Sequence, residues 1–259
     1  MSTILPRILV VAGSDSGGGA GIQADIKAIT VLGGYAMTAV TAITAQNTVG
    51  VQRIYPIPLI EVEAQMDSVL DDIGVDVFKT GMLADPTLMK MIANKINDRP
   101  LVLDPVMVAT SGDVLISEQA VQSLKDNLLP KAFLVTPNIP EAEVLTGVAI
   151  SSTEDQITAG RRLLEMGATN ALIKGGHRNG VEVQDVLVTP ERQRVFRSVR
   201  ISSQNTHGTG CTLASSLATL IGTEMPLEQC VSEAILYVQK CIRNAPGFGR
   251  GHGPLGHNS

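Results

Sequence analysis

Short β-branched apolar runs alternate with helical runs along the whole chain, and this alternation limits the fold more than any other feature of the sequence. "RILVVAG" (7–13) reads as a buried strand and 20–33 as a helix. "YAMTAVTAIT" (35–44) reads as a second strand. Residues 58–74 carry helical spacing at Leu59, Val62, Met66 and Leu70. "VFKTG" (77–81), "LVLDPV" (101–106), "FLVTPN" (133–138) and "ALIKGG" (171–176) are further strands, separated by helices over 85–97, 117–127, 140–147 and 152–167. "DVLVT" and "RVFRSVR" form a hairpin, and helices near 209–222 and 226–246 follow. Helix starts are marked by Asp85 before Pro86 and by Ser152 with Asp155 three residues on. Strict βα alternation predicts an α/β fold: one domain over 1–259, with a mainly parallel central sheet covered by helices on both faces.

Such a fold needs an aliphatic interior. Apolar residues make up 44% of the 259, aromatics 3%, and there is no Trp. Few aromatics and a net charge of −5 without a basic patch exclude a nucleic-acid partner. No apolar run approaches the ~18 residues of a membrane span, so no membrane is expected. The opening "MSTILPRILVVAGS" reads as a first strand, not a signal peptide. Three cysteines, with no CxxC or Cys/His metal spacing, predict a reducing, cytoplasmic setting.

Ligands of parallel sheets bind beyond the carboxyl ends of the strands, and polar residues and glycines collect there. "GSDSGGGAGIQAD" (13–25) follows the first strand. It lacks the Gly-Lys-Ser/Thr of a Walker A loop and the later acidic residue of a dinucleotide site. Its glycines, Gly13 and Gly21 among them, instead suit close approach of backbone to a ligand. Asp25 is a ligand contact or a solvated helix residue. Gln46 offers a donor and an acceptor side by side, suited to a heterocycle. Asp104 ends a buried strand, where a carboxylate needs a partner. With Glu141 it is a candidate Mg²⁺ shell, unless Glu141 is a helix cap. Lys174, before two glycines, suits a phosphate or an ion pair. "NTHGTGCTLASS" (205–216) is a Gly-rich turn opening a helix. The amides of Gly208, Thr209, Gly210 and Cys211 point at one spot, where the helix dipole favours an anion. Cys211 is expected to ionise readily there, unless it is a small buried apolar group. The last reading suits Cys230 and Cys241. His207 is a loop residue or a participant.

Eight stretches in order resemble the hydroxymethylpyrimidine kinase / hydroxymethylpyrimidine phosphate kinase family of thiamine biosynthesis, in the ribokinase-like superfamily. They are "AGSDSGGGAGIQADIK", "TAITAQNTVGVQ", "KTGMLAD", "LDPVMVATSGD", "TPNIPEAE", "IKGGH", "NTHGTGCT" and "GRGHGPLGH". The resemblance implies a ribokinase-like three-layer sandwich of eight or nine strands. It implies an ATP- and Mg²⁺-dependent kinase acting twice on a small pyrimidine, in a homodimer. Gln46 and Asp25 would hold the pyrimidine, with Met82 and Val106 against its ring and Gly13–Gly21 over it. Asn138 and Thr206 would sit at the nucleotide with Lys174, and Asp104 and Glu141 at the metal. Residues 107–114 would form a flap. Cys211 stands where most of the superfamily has an Asp base, and Asn205 where the motif tends to begin with Asp. Pyridoxal kinase, or both activities together, is the alternative. The flap lacks the cysteine that some dual-activity relatives carry. A non-catalytic vitamin-binding protein is a third reading. It would suit a degraded anion turn, which is not seen here.

Overall fold

The computed structural model describes residues 5–107, 116–178 and 180–258. Among them, nine strands form one sheet: β1 (Arg7–Asp15), β2 (Tyr35–Asn47), β3 (Gly50–Pro56), β4 (Val77–Thr80), β5 (Leu101–Leu103), β6 (Leu134–Val135), β7 (Asn170–Ile173), β8 (Glu182–Val188) and β9 (Gln193–Val199). Their order is β3-β2-β1-β4-β5-β6-β7-β8-β9. The ladders from β2 through β1 and β4 to β7 are parallel, and β3, β8 and β9 extend the two edges antiparallel.

The helices are α1 (Gly21–Val31), α2 (Leu59–Asp72), α3 (Pro86–Ile96), α4 (Glu118–Ser123), α5 (Ile139–Thr146), α6 (Thr153–Glu165), α7 (Thr209–Ile221) and α8 (Leu227–Arg243). Successive strand side chains point to opposite faces, so each central strand supplies two cores. Leu9, Val11, Phe78, Leu101 and Leu103 pack with Val62 and Met66 of α2, Met89 and Ile92 of α3, and Leu163 of α6. Ile8, Val10, Val77 and Val102 pack with Ile22 and Ile29 of α1, Leu213 and Leu217 of α7, and Val231 and Ala234 of α8. Both faces are covered, which explains why these strands read as continuous apolar runs.

Most elements fall where the sequence puts them, and their ends have local causes. Asp85 accepts the Thr87 amide at 2.8 Å beside Pro86. Ser152 and Asp155 exchange a capping box. β3 is the element missed: it is an edge strand with no buried face, so its residues carry no apolar alternation to read. The helix expected over 117–127 narrows to α4, followed by a wider π-type turn over Leu124–Leu128.

Candidate active site

Strand order reverses at β1, whose neighbours β2 and β4 lie on opposite sides. Such a switch point opens a crevice at the strand carboxyl ends. A cavity of about 450 Å³ lies there and runs along those ends. At the β1–β2 end it is lined by Gly13, Gly21, Gln46, Met82 and Val106. At the β8–β9 end it is walled by Val183, Val199 and Ile201, with Ile235, Val238 and Ile242 of α8. Between the two ends stand Asp104, Asn138, Glu141, Lys174, Thr206 and Gly208–Cys211.

The glycine loop after β1 is held by one carboxylate. Asp15 accepts the amides of Gly17 at 2.8 Å, Gly19 at 3.0 Å and Ala20 at 2.8 Å. His207 Nε2 lies 2.9 Å from Asp15 Oδ2 and 3.3 Å from Gln46 Nε2. Burial works against ionisation of Asp15, but His207 and the loop amides outweigh it and hold the carboxyl below its usual range. Gly21, at φ +54°, turns the chain back on Gly13. Neither Asp15 nor His207 was assigned to this loop from sequence. The local Asp-x-Gly spacing was the available signal for Asp15.

The second glycine turn leans on the first. Gly208 caps α7 in the left-handed region at φ +84°, and a Cβ there would lie 1.8 Å from the Gly19 carbonyl oxygen. The amides of Gly210 and Cys211 open α7 without intrahelical partners, as in any helix start, and Gly210 lies beside Lys174 and Asp104. A Cβ on Gly210 would lie 3.5 Å from Lys174 Nζ and 3.7 Å from Asp104 Oδ2.

Lys174 Nζ donates to Asp104 Oδ1 at 3.1 Å and lies 4.0 Å from Glu141 Oε2. Glu141 and Asn138 form a capping box at the start of α5, at 2.8 and 2.9 Å. Glu141 is therefore a helix cap, as one sequence reading has it, and the same carboxylate also lines the cavity. Burial, reinforced by Asp104 and opposed by Lys174, pushes Glu141 up to about 7. Asp104 Oδ2 is buried with no hydrogen-bond partner. An orphaned carboxylate oxygen next to a second carboxylate and a phosphate-sized hollow fits Mg²⁺, which takes few protein oxygens and completes its shell with water and phosphate. No cluster of three or more potential ligands occurs among the described residues.

Two expectations need correction. Asp25 does not line the cavity: it is fully buried, paired with Lys79 Nζ at 2.9 and 3.0 Å, and accepts Ser215 Oγ at 2.6 Å. Cys211 does not ionise readily. Burial, with Asp25 and Asp104 nearby, pushes its thiol up to about 12, and neither Lys79 nor the Gly21 amide compensates. The flap expected over 107–114 lies, beyond Met107, outside the described residues. The apolar wall of β8, β9 and α8 was not foreseen, because its residues gather only when the sheet and α8 come together.

The nine-stranded, mainly parallel sheet with helices on both faces, with one cavity running along its strand ends, is that of the ribokinase-like kinases. More narrowly, the chain belongs to the phosphomethylpyrimidine kinase family, whose model matches residues 15–256. It is 51% identical over 253 residues to the thiamine biosynthesis bifunctional protein ThiED of Geobacter sulfurreducens, covering 96% of this chain and 52% of that one. The chain thus spans about half of that relative. It is 40% identical over 255 residues to the hydroxymethylpyrimidine/phosphomethylpyrimidine kinase of Bacillus subtilis, covering 97% and 94%. Among solved structures, an ADP complex of Bacillus subtilis pyridoxal kinase superposes with a TM-score of 0.91 at 31% identity, covering 98% of each chain. Among the described residues no helix is long and apolar enough to cross a membrane.

Proposed function

We infer that this enzyme uses ATP to phosphorylate the hydroxymethyl group of 4-amino-5-hydroxymethyl-2-methylpyrimidine, and then phosphorylates the monophosphate to the diphosphate. The observation that carries the reading is the single cavity with two unlike ends meeting at the α7 N-terminus. The narrow end, with Gly13, Gly21, Gln46, Met82 and Val106, suits a small ring bearing hydrogen-bonding edges. The long apolar end suits a nucleobase. Lys174, Asn138 and Thr206 stand beside the phosphates between them.

Phosphoryl transfer needs positioning and charge neutralisation more than covalent help. The amides of Gly210 and Cys211 stabilise charge on the group in transit, while that of Thr209 is taken up by the Thr206 carbonyl at 3.3 Å, and Lys174 holds the donor side. Asp104 and Glu141 would hold Mg²⁺, which supplies neutralisation of phosphate charge when bound. Cys211 faces the acceptor as a neutral thiol. It fixes the position of the acceptor oxygen, whose proton passes to an oxygen of the transferred phosphoryl group late, after most of the bond to the leaving group has broken. The whole of 1–259 acts as one kinase domain, in the cytoplasm, as a homodimer. A monomeric mass by light scattering would remove the last statement.

The likeness to pyridoxal kinase supports a second reading, in which pyridoxal is an acceptor as well. An ATP-consumption assay with the pyrimidine alcohol, its monophosphate and pyridoxal side by side decides between them. Turnover with pyridoxal alone would overturn the first reading. No turnover with any acceptor would leave a non-catalytic binding protein.

A further inference from the structure

The stretch "GRGHGPLGH" has no part in the chemistry above, yet it is packed against that chemistry on three sides. After α8 ends, residues 245–257 run without helix or strand across the β1–β2 end of the cavity. At the far side, the amides of Arg250 and Gly251 donate to Thr48 Oγ1 at 3.2 and 3.3 Å, and that of His252 to the Thr48 carbonyl at 2.8 Å. Thr48 follows Gln46 and Asn47 in the β2–β3 turn. In the middle, the His207 amide donates to the Gly253 carbonyl at 3.2 Å, and Pro254 lies against the place where Gly19 has no side chain. At the near side, Leu255 is buried with Ala28, Tyr237 and Cys241. The Gly256 amide donates to the Cys241 carbonyl at 2.9 Å.

The strap ends on the helix of the anion hole. Thr212 Oγ1 and His257 Nε2 are 2.9 Å apart, and both side chains are buried. In either tautomer the two atoms share one hydrogen bond, which engages the Thr212 hydroxyl. Tyr237 Oη donates to the His257 carbonyl at 3.1 Å, which fixes the residue from behind. A Thr in a helix otherwise tends to turn its hydroxyl onto the carbonyl four residues back, bending the turn. Ser216 and Thr219 of α7 do so, onto Thr212 and Ser215 at 2.6 and 2.8 Å. For Thr212 that carbonyl belongs to Gly208. It instead takes only the Thr212 amide, at 2.9 Å.

We propose that His257 is a positioning residue for phosphoryl transfer: by holding the Thr212 hydroxyl it keeps the first turn of α7, and so the amides of Gly210 and Cys211, aimed into the cavity. The strap in this way couples the turn that carries Gln46 to the anion hole. This rests on the reading of the α7 N-terminus as the site of the transferred group. The geometric claim has a test that does not depend on activity.

Hydrogen exchange of peptides spanning 205–216 is measured in the full-length protein and in His257→Ala, His257→Gln and Thr212→Val. Exchange speeds up in the alanine variant and is restored by glutamine, whose side-chain amide can hydrogen-bond the Thr212 hydroxyl in either direction. Unchanged exchange in a folded His257→Ala variant overturns the proposal, whether or not the protein turns over pyrimidine. With the pyrimidine alcohol, kcat per native molecule falls about tenfold in His257→Ala, while KM stays within about twofold. Thr212→Val shows the same loss, and combining it with His257→Ala adds nothing. Equal losses in the alanine and glutamine variants, or additive losses in the double variant, also overturn it. A purely structural role would lower the melting temperature without this kcat pattern or the rescue.

Discussion

Lys79 Nζ lies 2.9 Å from Asp25 Oδ1 with both side chains fully buried, and this pair joins β4 to α1 within electrostatic reach of Cys211. Burial alone would lower the Lys79 pKa, but Asp25 outweighs it and holds the ammonium above its usual value. Ser215 Oγ, from α7, completes the carboxylate. Three elements that meet at the reacting centre are therefore tied by one charge pair.

Breaking that pair leaves one charge buried and unmatched. Lys79→Met is expected to cost about 3–5 kcal/mol in denaturant unfolding, because the orphaned carboxylate remains. Replacing both charges, as Lys79→Met with Asp25→Leu, recovers most of that loss. A double variant no more stable than Lys79→Met would show that Asp25 needs Lys79 for more than charge balance.

Cys211, pushed up to about 12, predicts a thiol that stays protonated through neutral pH. Its alkylation by iodoacetamide should remain slow and rise with pH until the medium approaches that value. Cys211→Ala should lower kcat by less than the ~10² of a displaced general base, and leave pyrimidine binding intact. A thiol that titrates near its ordinary pKa of about 8.5 in the alkylation profile would restore the thiolate base.

Gly210 separates stability from activity. A methyl there meets Lys174 Nζ at 3.5 Å and Asp104 Oδ2 at 3.7 Å, which is ordinary contact. Gly210→Ala should therefore fold, and gain up to about 1 kcal/mol from helix propensity. The methyl occupies the hollow between Lys174, Asp104 and the free amides, so kcat should fall and KM for ATP rise. Gly208→Ala differs, since its Cβ would strike the Gly19 carbonyl in a left-handed backbone. It should lose both stability and activity, by melting and by assay.

His257 gives the fold a pH dependence of known sign. Burial, with Lys27 nearby, lowers its pKa from 6.5 to about 4. Between those values the unfolded chain binds a proton that the folded chain does not. The stability is thus complete above pH 6.5 and is lost as pH falls toward 4, by roughly 3 kcal/mol at 1.36 kcal/mol per unit. Glu141, up to about 7, and Asp185, up to about 6, act in the opposite direction, since they hold protons more tightly when folded. The test is therefore a difference. Wild type minus His257→Gln, by urea unfolding across this range, should slope upward with pH, and a flat difference would contradict the assignment.

The motifs were legible because they obey local rules. Asn138 and Glu141 are three residues apart, so their capping box is fixed by helix geometry wherever the helix lies. Gly18, Gly21 and Gly208 take left-handed backbone that other residues rarely adopt, so the glycine clusters announce their turns. Asp25, on α1, was misread because its meaning lies in Lys79, fifty-four residues later on β4. His257 and Thr212, forty-five residues apart, carry no joint signal in the chain.

By itself, then, the sequence determined the alternation that makes a doubly covered parallel sheet, the polar residues and glycines at its strand ends, and the glycine turn that opens α7. These follow from periodicity, backbone freedom and helix ends, all short-range properties. The tertiary structure alone decided which buried charges find partners, how acidic Cys211 is, and what holds the anion turn in place. Desolvation and Coulomb interactions depend on distances between residues remote in the chain, and those distances exist only once the layers have packed.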